Sequence, residues 1–312
     1  MASECNVLKH CIYDIEEIGR DSYILDQAPA FRRPTSLQEA ANMSCTNDKG
    51  TALVTGASTG IGALYADRLA RRGHDLILVA RNGERLRRLS DELATATGRR
   101  ITTIVADLTD RAGLARVEDV LRTDERITML VNNAGVGSVA SILQADVDAM
   151  EDMIALNVTA LTRLTYAVAP AFARRKGGTI VNIASVVGVA VELLNGVYSA
   201  SKSYVLSFGH TLQRDLGGQG VRIQTVMPGA TATGFWDVAG YAPQKESATT
   251  MSAANLVDAA LAGLDAGELV TIPGLHEGDR WTQWEADRRA LAPKFANALP
   301  AARYAARAVE PA

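Results

Sequence analysis

Cysteine is scarce in this chain of 312 residues, which contains only Cys5, Cys11 and Cys45. An odd trio near the start of so long a chain does not make a disulfide framework, so we expect a reducing compartment and a cytoplasmic protein. Six acidic side chains within the first thirty residues also disfavour a signal or transit peptide.

Long apolar runs, paired histidines and a charge imbalance are missing as well. No apolar run approaches the ~18–20 residues of a membrane helix, so no membrane segment is expected. The four histidines (His10, His74, His210 and His276) are scattered without metal-ligand spacing, so no metal site is expected. The net charge of −3, from 32 basic and 35 acidic residues, gives no reason to expect nucleic-acid binding.

What the chain does have is enough apolar content for a full core, with 47% hydrophobic and 21% charged residues. Its length predicts two domains or one large α/β domain. Among the basic residues, 26 are arginine and six lysine, and nine of the arginines fall between Arg68 and Arg100.

From Thr51 onward, short apolar runs alternate with helical patterns. The runs are predicted strands, and they are Thr51–Thr55, Leu76–Ala80, Ile101–Val105, Met129–Asn132, Thr179–Ala184, Val221–Val226 and Leu269–Ile272. The helical patterns are Ile61–Arg72, Glu84–Ala96, Ala112–Leu121, Asp146–Arg174, Tyr198–Leu216 and Ala253–Leu264. Apolar runs without alternation are typical of strands buried on both faces. The pattern predicts one α/β domain, a doubly wound (Rossmann), mainly seven-stranded parallel sheet with helices on both faces.

Three segments are expected along the chain. Residues 1–48 mix charges without a sustained period and are expected to be a poorly ordered extension, with a functional arm or a start at Met43 as alternatives. Residues 49–273 are expected to form the dinucleotide-binding and catalytic domain. Residues 274–312 are expected to form a helical tail, in which Trp281 and Trp284 serve packing or an interface.

The first predicted strand ends in a glycine-rich loop, Thr55–Gly62, that leads directly into a helix. Gly56 would permit the tight turn, Gly60 a close approach to a pyrophosphate, and Gly62 the packing of the helix onto the sheet. The N–H groups at the start of that helix attract an anion. We therefore expect a dinucleotide to be bound by Gly56, Ser58, Thr59, Gly60, Ile61 and Gly62.

The end of the second predicted strand discriminates between the two nicotinamide dinucleotides. An NAD site usually has a carboxylate there for the ribose 2′-hydroxyl, whereas this chain has Ala80-Arg81-Asn82. A guanidinium can hold a 2′-phosphate by paired, charge-assisted hydrogen bonds. Arg81 therefore favours NADP(H) as the cofactor, with NAD(H) the less favoured alternative. One of the arginines at positions 85, 87 and 88 could add to the positive field, although a solvated helix face explains the last two equally well.

Tyr198-Ser-Ala-Ser-Lys202 is the strongest chemical signal. Four-residue spacing on a helix places the phenol and the ammonium on one face. A nearby ammonium favours the phenolate, so we expect Lys202 to lower the tyrosine pKa from its usual value near ~10 toward the range of acid–base catalysis. Lys202 could also hydrogen-bond a cofactor ribose.

Further polar and small residues stand at predicted strand ends. Ser185 ends the fifth strand and could hydrogen-bond a substrate carbonyl, while Asn157 is a polar residue within a mostly apolar helical pattern. The backbone at the end of the fourth strand and beyond the sixth strand is expected to meet the nucleotide, through Asn133, Ala134, Gly135, Pro228, Gly229, Thr231 and Thr233.

From about Thr51 to Ile272 the chain resembles the short-chain dehydrogenase/reductase family, in its single-domain branch with a Tyr-x-x-x-Lys active site. The glycine loop matches the family's Thr-Gly-x-x-x-Gly-x-Gly, and Asn132–Gly135 its Asn-Asn-Ala-Gly motif. The family's remaining motifs fall on Asn157, Ser185, Tyr198 and Lys202 (the tetrad), on Asp107 with Leu108 (the adenine contact), and on Pro228, Gly229 and Thr233 (the Pro-Gly loop).

The resemblance implies hydride transfer between NADP(H) and an alcohol/carbonyl substrate. It gives Tyr198 the acid–base role, Ser185 the positioning of the carbonyl, Lys202 the tuning of the tyrosine, and Asn157 the anchoring of a proton-relay water. It also implies a homodimer or homotetramer.

A lid for a fairly apolar small-molecule substrate is expected over Gly234–Tyr241, which carries three aromatic side chains. The opposite wall would be Val186, Val187, Val189, Leu193 and Leu194. The alternative is that these side chains pack the domain or a subunit contact.

Two other functions stay open. An NADP(H)-binding redox sensor or scaffold without turnover is disfavoured because all four tetrad residues are present. An epimerase or dehydratase on the same fold would need a larger substrate domain than the stretch after Ile272 offers.

Overall fold

Nine strands are found in residues 49–240 and 247–304, which are the residues that the computed structural model describes. They are β1 (Thr51–Thr55), β2 (Asp75–Ala80), β3 (Ile101–Val105), β4 (Ile127–Asn132), β5 (Gly178–Ile183), β6 (Val221–Val226), β7 (Thr231–Ala232), β8 (Met251–Ser252) and β9 (Val270–Thr271). The predicted extension of residues 1–48, with its three cysteines, lies outside the described residues, and so does Tyr241.

Seven of these strands form one parallel sheet in the order β3-β2-β1-β4-β5-β6-β9. In chain order the sheet starts with β1, extends outward through β2 to β3, and continues with β4 on the other side of β1. Ligands bind at such a reversal, outside the carboxyl ends of the strands. The two short strands β7 and β8 pair separately, in parallel.

Helices connect the strands. They are α1 (Gly60–Arg71), α2 (Gly83–Thr97), α3 (Arg111–Thr123), α4 (Val147–Ile154), α5 (Leu161–Arg174), α6 (Gly196–Leu216), α7 (Phe235–Ala239), α8 (Ala253–Ala266) and α9 (Gly278–Leu291). None of the helices in the described ranges is long and apolar enough to cross a membrane.

Two apolar clusters lie on opposite faces of the sheet, and successive β1 residues alternate between them. Val54 packs with Tyr65 and other side chains of α1, α2 and α8, whereas Leu53 packs with Phe172 and other side chains of α3, α5 and α6. Both faces are therefore covered, which confirms the predicted doubly wound fold and explains why the strand sequences are apolar throughout.

The predicted helix over Asp146–Arg174 is interrupted in the structure. A π-helical segment, Ala155–Ala160, joins α4 to α5 and contains Asn157. Such a segment widens the helix locally and is frequent at functional sites. The apolar periodicity does not reveal it, because one wide turn barely changes the pattern.

Of the residues that the structure describes, those from 49 to 275 form one compact unit, and those from 276 to 304 belong to another. Within the described part of the second unit, α9 carries Trp281 and Trp284, whose rings stack with centroids 4.7 Å apart. Glu285 accepts hydrogen bonds from Arg288 and Arg289 on the same helix, at 2.9 and 3.2 Å. The predicted segment boundaries after residues 48 and 273 stay predictions.

Candidate active site

A cavity of about 920 Å³ opens where the parallel strands end. This volume is at the upper end of the range of roughly 300–1,000 Å³ for small-molecule sites. The cavity brings together the predicted residues Gly56, Ser58, Thr59, Gly60, Ile61, Arg81, Asp107, Leu108, Asn133, Ala134, Gly135, Ser185, Tyr198, Lys202, Pro228, Gly229, Thr231 and Thr233. Two of the predicted residues, Gly62 and Asn157, do not line it.

Gly62 is not among the residues that line the cavity, and its contact with a cofactor stays a prediction. A Cβ at this position would overlap the carbonyl oxygen of Gly56 and come within 2.5 Å of Asn133 Nδ2. The glycine is required because α1 packs closely against the loop that precedes it.

The glycine loop is held in place from the neighbouring strand. Asn133 Nδ2 donates hydrogen bonds to the carbonyl oxygens of Thr55 and Gly56, at 2.9 and 3.2 Å. In return, Thr55 Oγ1 accepts from the backbone N–H groups of Asn133 and Ala134, each at 3.0 Å. The loops after β1 and β4 therefore form one rigid edge of the cavity. The sequence identified Asn133 but missed the part that Thr55 plays.

The first turn of α1 lies at the cavity, and no described side chain caps it. Its N-cap residue, Thr59, makes no side-chain capping bond within the described residues, whereas α2, α3, α4, α6 and α8 each have a side-chain cap. Residues 58–61 line the cavity. The N–H groups at the start of α1 are therefore available to a phosphate group, as a pyrophosphate would require.

Positive charge lies beside β2 at one end of the cavity. Arg81 is 70% exposed and its Nη1 lies 3.8 Å from Asp107 Oδ2. Burial acts to raise the pKa of Asp107, but hydrogen bonds from Thr109 and the charge of Arg81 outweigh it, so the pKa is lowered. Arg85 also lines the cavity. An extended guanidinium beside the strand end has the chemistry and the freedom to hold a phosphate.

Arg87 and Arg88, the other two arginines of α2, do not line the cavity. Arg88 pairs instead with Glu92, with Nε and Oε1 2.8 Å apart. A solvated helix face is therefore the better interpretation of Arg87 and Arg88.

Tyr198 is buried at the opposite end of the cavity, beside Ser185. Burial raises the pKa of Tyr198 to about 12, and a hydrogen bond with Ser185 acts in the opposite direction. The phenol is therefore protonated at neutral pH and suited to donate a proton.

Lys202 lies near the Tyr198 ring, as its helical spacing predicted, but its ammonium is held by a backbone carbonyl group. Its Nζ donates to the carbonyl oxygen of Ile183 at 2.9 Å and lies 5.8 Å from the centre of the Tyr198 ring. Burial lowers the pKa of Lys202 from 10.5 to about 8. The predicted lowering of the tyrosine pKa by the ammonium is not found, because burial of the phenol dominates.

Asn157 lies behind the cavity wall, on the π-helical segment. Its Oδ1 accepts from the N–H of Val136 at 3.0 Å, and its Nδ2 donates to the Val136 carbonyl oxygen at 2.8 Å and to Ser201 Oγ at 3.1 Å. Ser201 Oγ in turn donates to the carbonyl oxygen of Tyr198 at 2.7 Å. Asn157 thus joins the loop after β4 to the helix that carries the tyrosine.

The model of the short chain dehydrogenase family matches residues 50–241, which is more than half of the chain and includes Ser185, Tyr198 and Lys202. The chain belongs to the short-chain dehydrogenase family.

Solved structures of other family members are similar over most of this dehydrogenase. A short-chain dehydrogenase from Sphingobium yanoikuyae in complex with NADPH is 46% identical, with a TM-score of 0.79 over 82% of this chain and 100% of that one. A bulky-bulky ketone specific alcohol dehydrogenase from Comamonas testosteroni is 44% identical, with a TM-score of 0.76 over 83% of this chain and 100% of that one. Among curated sequences, an NADP-dependent 3-hydroxy acid dehydrogenase from Salmonella typhi is 37% identical over 57% of this chain and 71% of its own length.

Asn195 caps the helix α6, which carries Tyr198 and Lys202, and was missed in the sequence. Its Oδ1 caps α6 by accepting from the N–H groups of Val197 and Tyr198, at 2.9 and 3.3 Å. Its Nδ2 donates to the carbonyl oxygen of Ala140 at 2.5 Å. An Asn at a helix start is a capping signal that the sequence can show. The contact with the carbonyl oxygen of Ala140, 55 residues away, cannot be seen in the sequence.

An aromatic and aliphatic wall lines the cavity next to Tyr198. Phe235 and Trp236 of the predicted lid contribute to it, and so do four of the five predicted residues of the opposite wall, Val186, Val187, Leu193 and Leu194. Val189 does not line the cavity. Trp236 Nε1 donates to the carbonyl oxygen of Thr231 at 2.7 Å and ties α7 to the strand β7.

Proposed function

We propose that this dehydrogenase reduces bulky, uncharged ketones to secondary alcohols with NADPH, and catalyses the reverse oxidation with NADP⁺. The observation that carries the proposal is a single cavity that joins a phosphate-binding end at Arg81 to a buried, protonated Tyr198 beside Ser185. An NADP(H) sensor or scaffold without turnover would not need Tyr198 and Ser185 side by side at the end of the cavity.

The cavity fits NADP(H) along its length. The first turn of α1 would hold the pyrophosphate, and Arg81 would hold the 2′-phosphate, assisted by Arg85. Asp107 and Leu108 would border the adenine, and the segment from Pro228 to Thr233 the nicotinamide. NADPH, when bound, supplies the hydride. The NADPH bound in the Sphingobium yanoikuyae structure and the NADP dependence stated for the Salmonella typhi relative support the same cofactor.

Proton transfer is assigned to Tyr198. Its hydroxyl would donate the proton to the carbonyl oxygen of the ketone, while Ser185 Oγ would donate a hydrogen bond to the same oxygen. The raised pKa of Tyr198 keeps this proton on the phenol until the oxygen acquires negative charge. Lys202 and Asn157 would act on the position of the tyrosine, and Asn157 would anchor a water for reprotonation.

The substrate class follows from the charges around the cavity. Among the residues that the structure describes, the charged ones that line the cavity, apart from Lys202, are Arg81, Arg85 and Asp107 at the phosphate end. The end next to Tyr198 has valine, leucine and aromatic side chains. These disfavour a charged substrate, because no opposite charge there would compensate for the loss of its hydration. A relative specific for bulky-bulky ketones is consistent with an apolar pocket of this size.

A homodimer or homotetramer is part of the proposal. Sedimentation equilibrium tests it: a mass two or four times that of one chain supports the assembly, and the mass of a single chain contradicts it.

The proposed activity is tested by the loss of NADPH absorbance with acetophenone, benzophenone and the anion of a 2-oxo acid. We expect both aromatic ketones to be reduced, and the oxo acid to be reduced with a much lower kcat/KM. NADH in place of NADPH should give slower turnover at equal concentration. Turnover of the oxo acid alone, or of no carbonyl compound, contradicts the proposal.

A further inference from the structure

Phe235, the first residue of α7, lies between a glycine and the catalytic tyrosine. Its ring is 5.8 Å from the Tyr198 ring, centre to centre, and 5.5 Å from the Trp236 ring, which meets it edge-on. The ring also lies against Gly137. A Cβ on Gly137 would overlap Phe235 Cζ and come within 3.2 Å of both Cε atoms.

The backbone on either side of Gly137 is fixed. Val136 exchanges two hydrogen bonds with the side chain of Asn157, at 3.0 and 2.8 Å. The N–H of Val139 donates to the carbonyl oxygen of Ala239, at the end of α7, at 3.2 Å. A side chain added at Gly137 could therefore not be accommodated by a shift of the loop, and the ring of Phe235 would have to move.

Gly137 does not need to be glycine for its own backbone. Its φ lies outside the left-handed region, whereas that of Gly56 or Gly60 lies inside it. An alanine would be tolerated here by the backbone. The contact that excludes a larger residue is the one with Phe235.

We infer that Phe235 is a specificity-determining residue and that Gly137 is the positioning residue that sets where its ring stands. The inference rests on the proposed ketone reduction. The ring forms the wall of the cavity beside Tyr198, so its position fixes how large a group fits on that side of the carbonyl carbon. Tyr198 and Trp236 occupy two sides of the ring, so a methyl group at Gly137 would push it into the cavity and make the pocket smaller.

The test compares kcat/KM for benzophenone, which is bulky on both sides of the carbonyl, with kcat/KM for acetophenone. Gly137→Ala should lower the benzophenone-to-acetophenone ratio roughly tenfold, a size of effect that one misplaced methylene group can have. Phe235→Ala should raise the ratio. In the double variant, the alanine at position 137 should have no further effect, because the ring that it displaces is gone.

Gly218→Ala is the matched control. Gly218 lies in the exposed turn between α6 and β6, and nothing lies within 4 Å of a Cβ there. This variant should keep the wild-type ratio. The inference is overturned if Gly137→Ala leaves the ratio unchanged, or changes it equally with and without Phe235.

A measurement without turnover separates this inference from the proposed function. Gly137→Ala should lower the Tm of the wild type but not that of Phe235→Ala, as a double-mutant cycle reports for two groups in contact. If Gly137→Ala lowers the Tm of the wild type and of Phe235→Ala by the same amount, the two residues are not in energetic contact and the inference is overturned. If the wild type reduced neither ketone, the proposed function would fail, and this cycle would still decide whether Gly137 positions the ring.

Discussion

At the residue scale, the acid–base chemistry of the site depends on burial. Tyr198 and Lys202 are both removed from water, and burial shifts their pKa values in opposite directions, to about 12 and about 8. Each shift favours the neutral form, since a charged group loses its hydration when it is buried. The site therefore holds a neutral proton donor next to an amine that titrates near neutral pH.

Lys202 should make the stability of the ligand-free protein depend on pH. Its pKa is near 10.5 when unfolded and about 8 when folded, so below pH 8 both states are protonated and the folded state carries the full cost of a buried charge. Between pH 8 and 10.5 the unfolded state binds more protons, and the free energy of unfolding rises. The total rise is on the order of 3 kcal/mol.

Urea unfolding of the wild type and of Lys202→Met checks this between pH 8 and 10, since the titration of the tyrosines is common to both proteins and cancels in the comparison. We expect the free energy of unfolding to rise with pH in the wild type relative to the variant. Lys294→Met, at an exposed position, should follow the wild type. Parallel curves for wild type and Lys202→Met would refute the assignment.

Arg81 should set the preference for NADPH. Arg81→Asp removes a guanidinium and places a carboxylate beside a 2′-phosphate, so the KM for NADPH should rise roughly ten- to a hundredfold, the range that a charge-assisted hydrogen bond implies. The KM for NADH should change little. Arg87→Asp makes the same charge change on the neighbouring helix α2, at a residue that does not line the cavity, and should leave both values near wild type. An unchanged KM for NADPH in Arg81→Asp would show that the phosphate is held elsewhere.

At the scale of secondary-structure elements, α6 positions the tyrosine, and Asn195 positions α6. Asn195→Ala removes the cap and should lower the free energy of unfolding by about 1 kcal/mol. It should also lower kcat, because Tyr198 lies in the first turn of the helix and its backbone N–H loses a partner.

Ser252→Ala is the comparison for this variant, since Ser252 caps α8 by accepting from the N–H of Asn255 at 3.0 Å. It should cost a similar amount of stability and leave kcat unchanged. Equal kcat values for the two capping variants would contradict the positioning role of Asn195.

The strands were predictable from sequence because they are buried on both faces. Thr51–Thr55 was predicted to the residue, and the predicted fourth strand began only two residues late, at Met129 instead of Ile127. The π-helical segment at Asn157 and the short elements around Phe235 were not predicted. Their positions depend on contacts between distant parts of the chain, such as Asn157 with Val136 and Trp236 with Thr231.

The candidate site was predictable to a similar degree. Residue types at strand ends located Ser185 and Arg81, and the helical spacing from Lys202 located Tyr198; the structure brings all three to one cavity. The sequence could not give the direction of the tyrosine pKa shift, because this depends on how deeply the phenol is buried and on where the amine of Lys202 points.

At the scale of the whole molecule, the two ends of the cavity belong to one fold, so binding of the cofactor should stabilise the entire compact unit. A ligand that binds only the folded state adds about 2.7 kcal/mol at a hundred times its Kd. NADPH should therefore raise the Tm of the wild type more than the same concentration of NADH does. Equal shifts, or a larger shift with NADH, would contradict the proposed cofactor.

The central claim is that Tyr198 donates the proton in an NADPH-dependent ketone reduction. The most direct measurement is kcat for benzophenone in the wild type and in Tyr198→Phe, with the Kd for NADPH measured on both proteins. We predict that kcat falls at least about a hundredfold, as the loss of a general acid implies, while the Kd for NADPH stays near the wild-type value. Undiminished turnover in Tyr198→Phe would contradict the account.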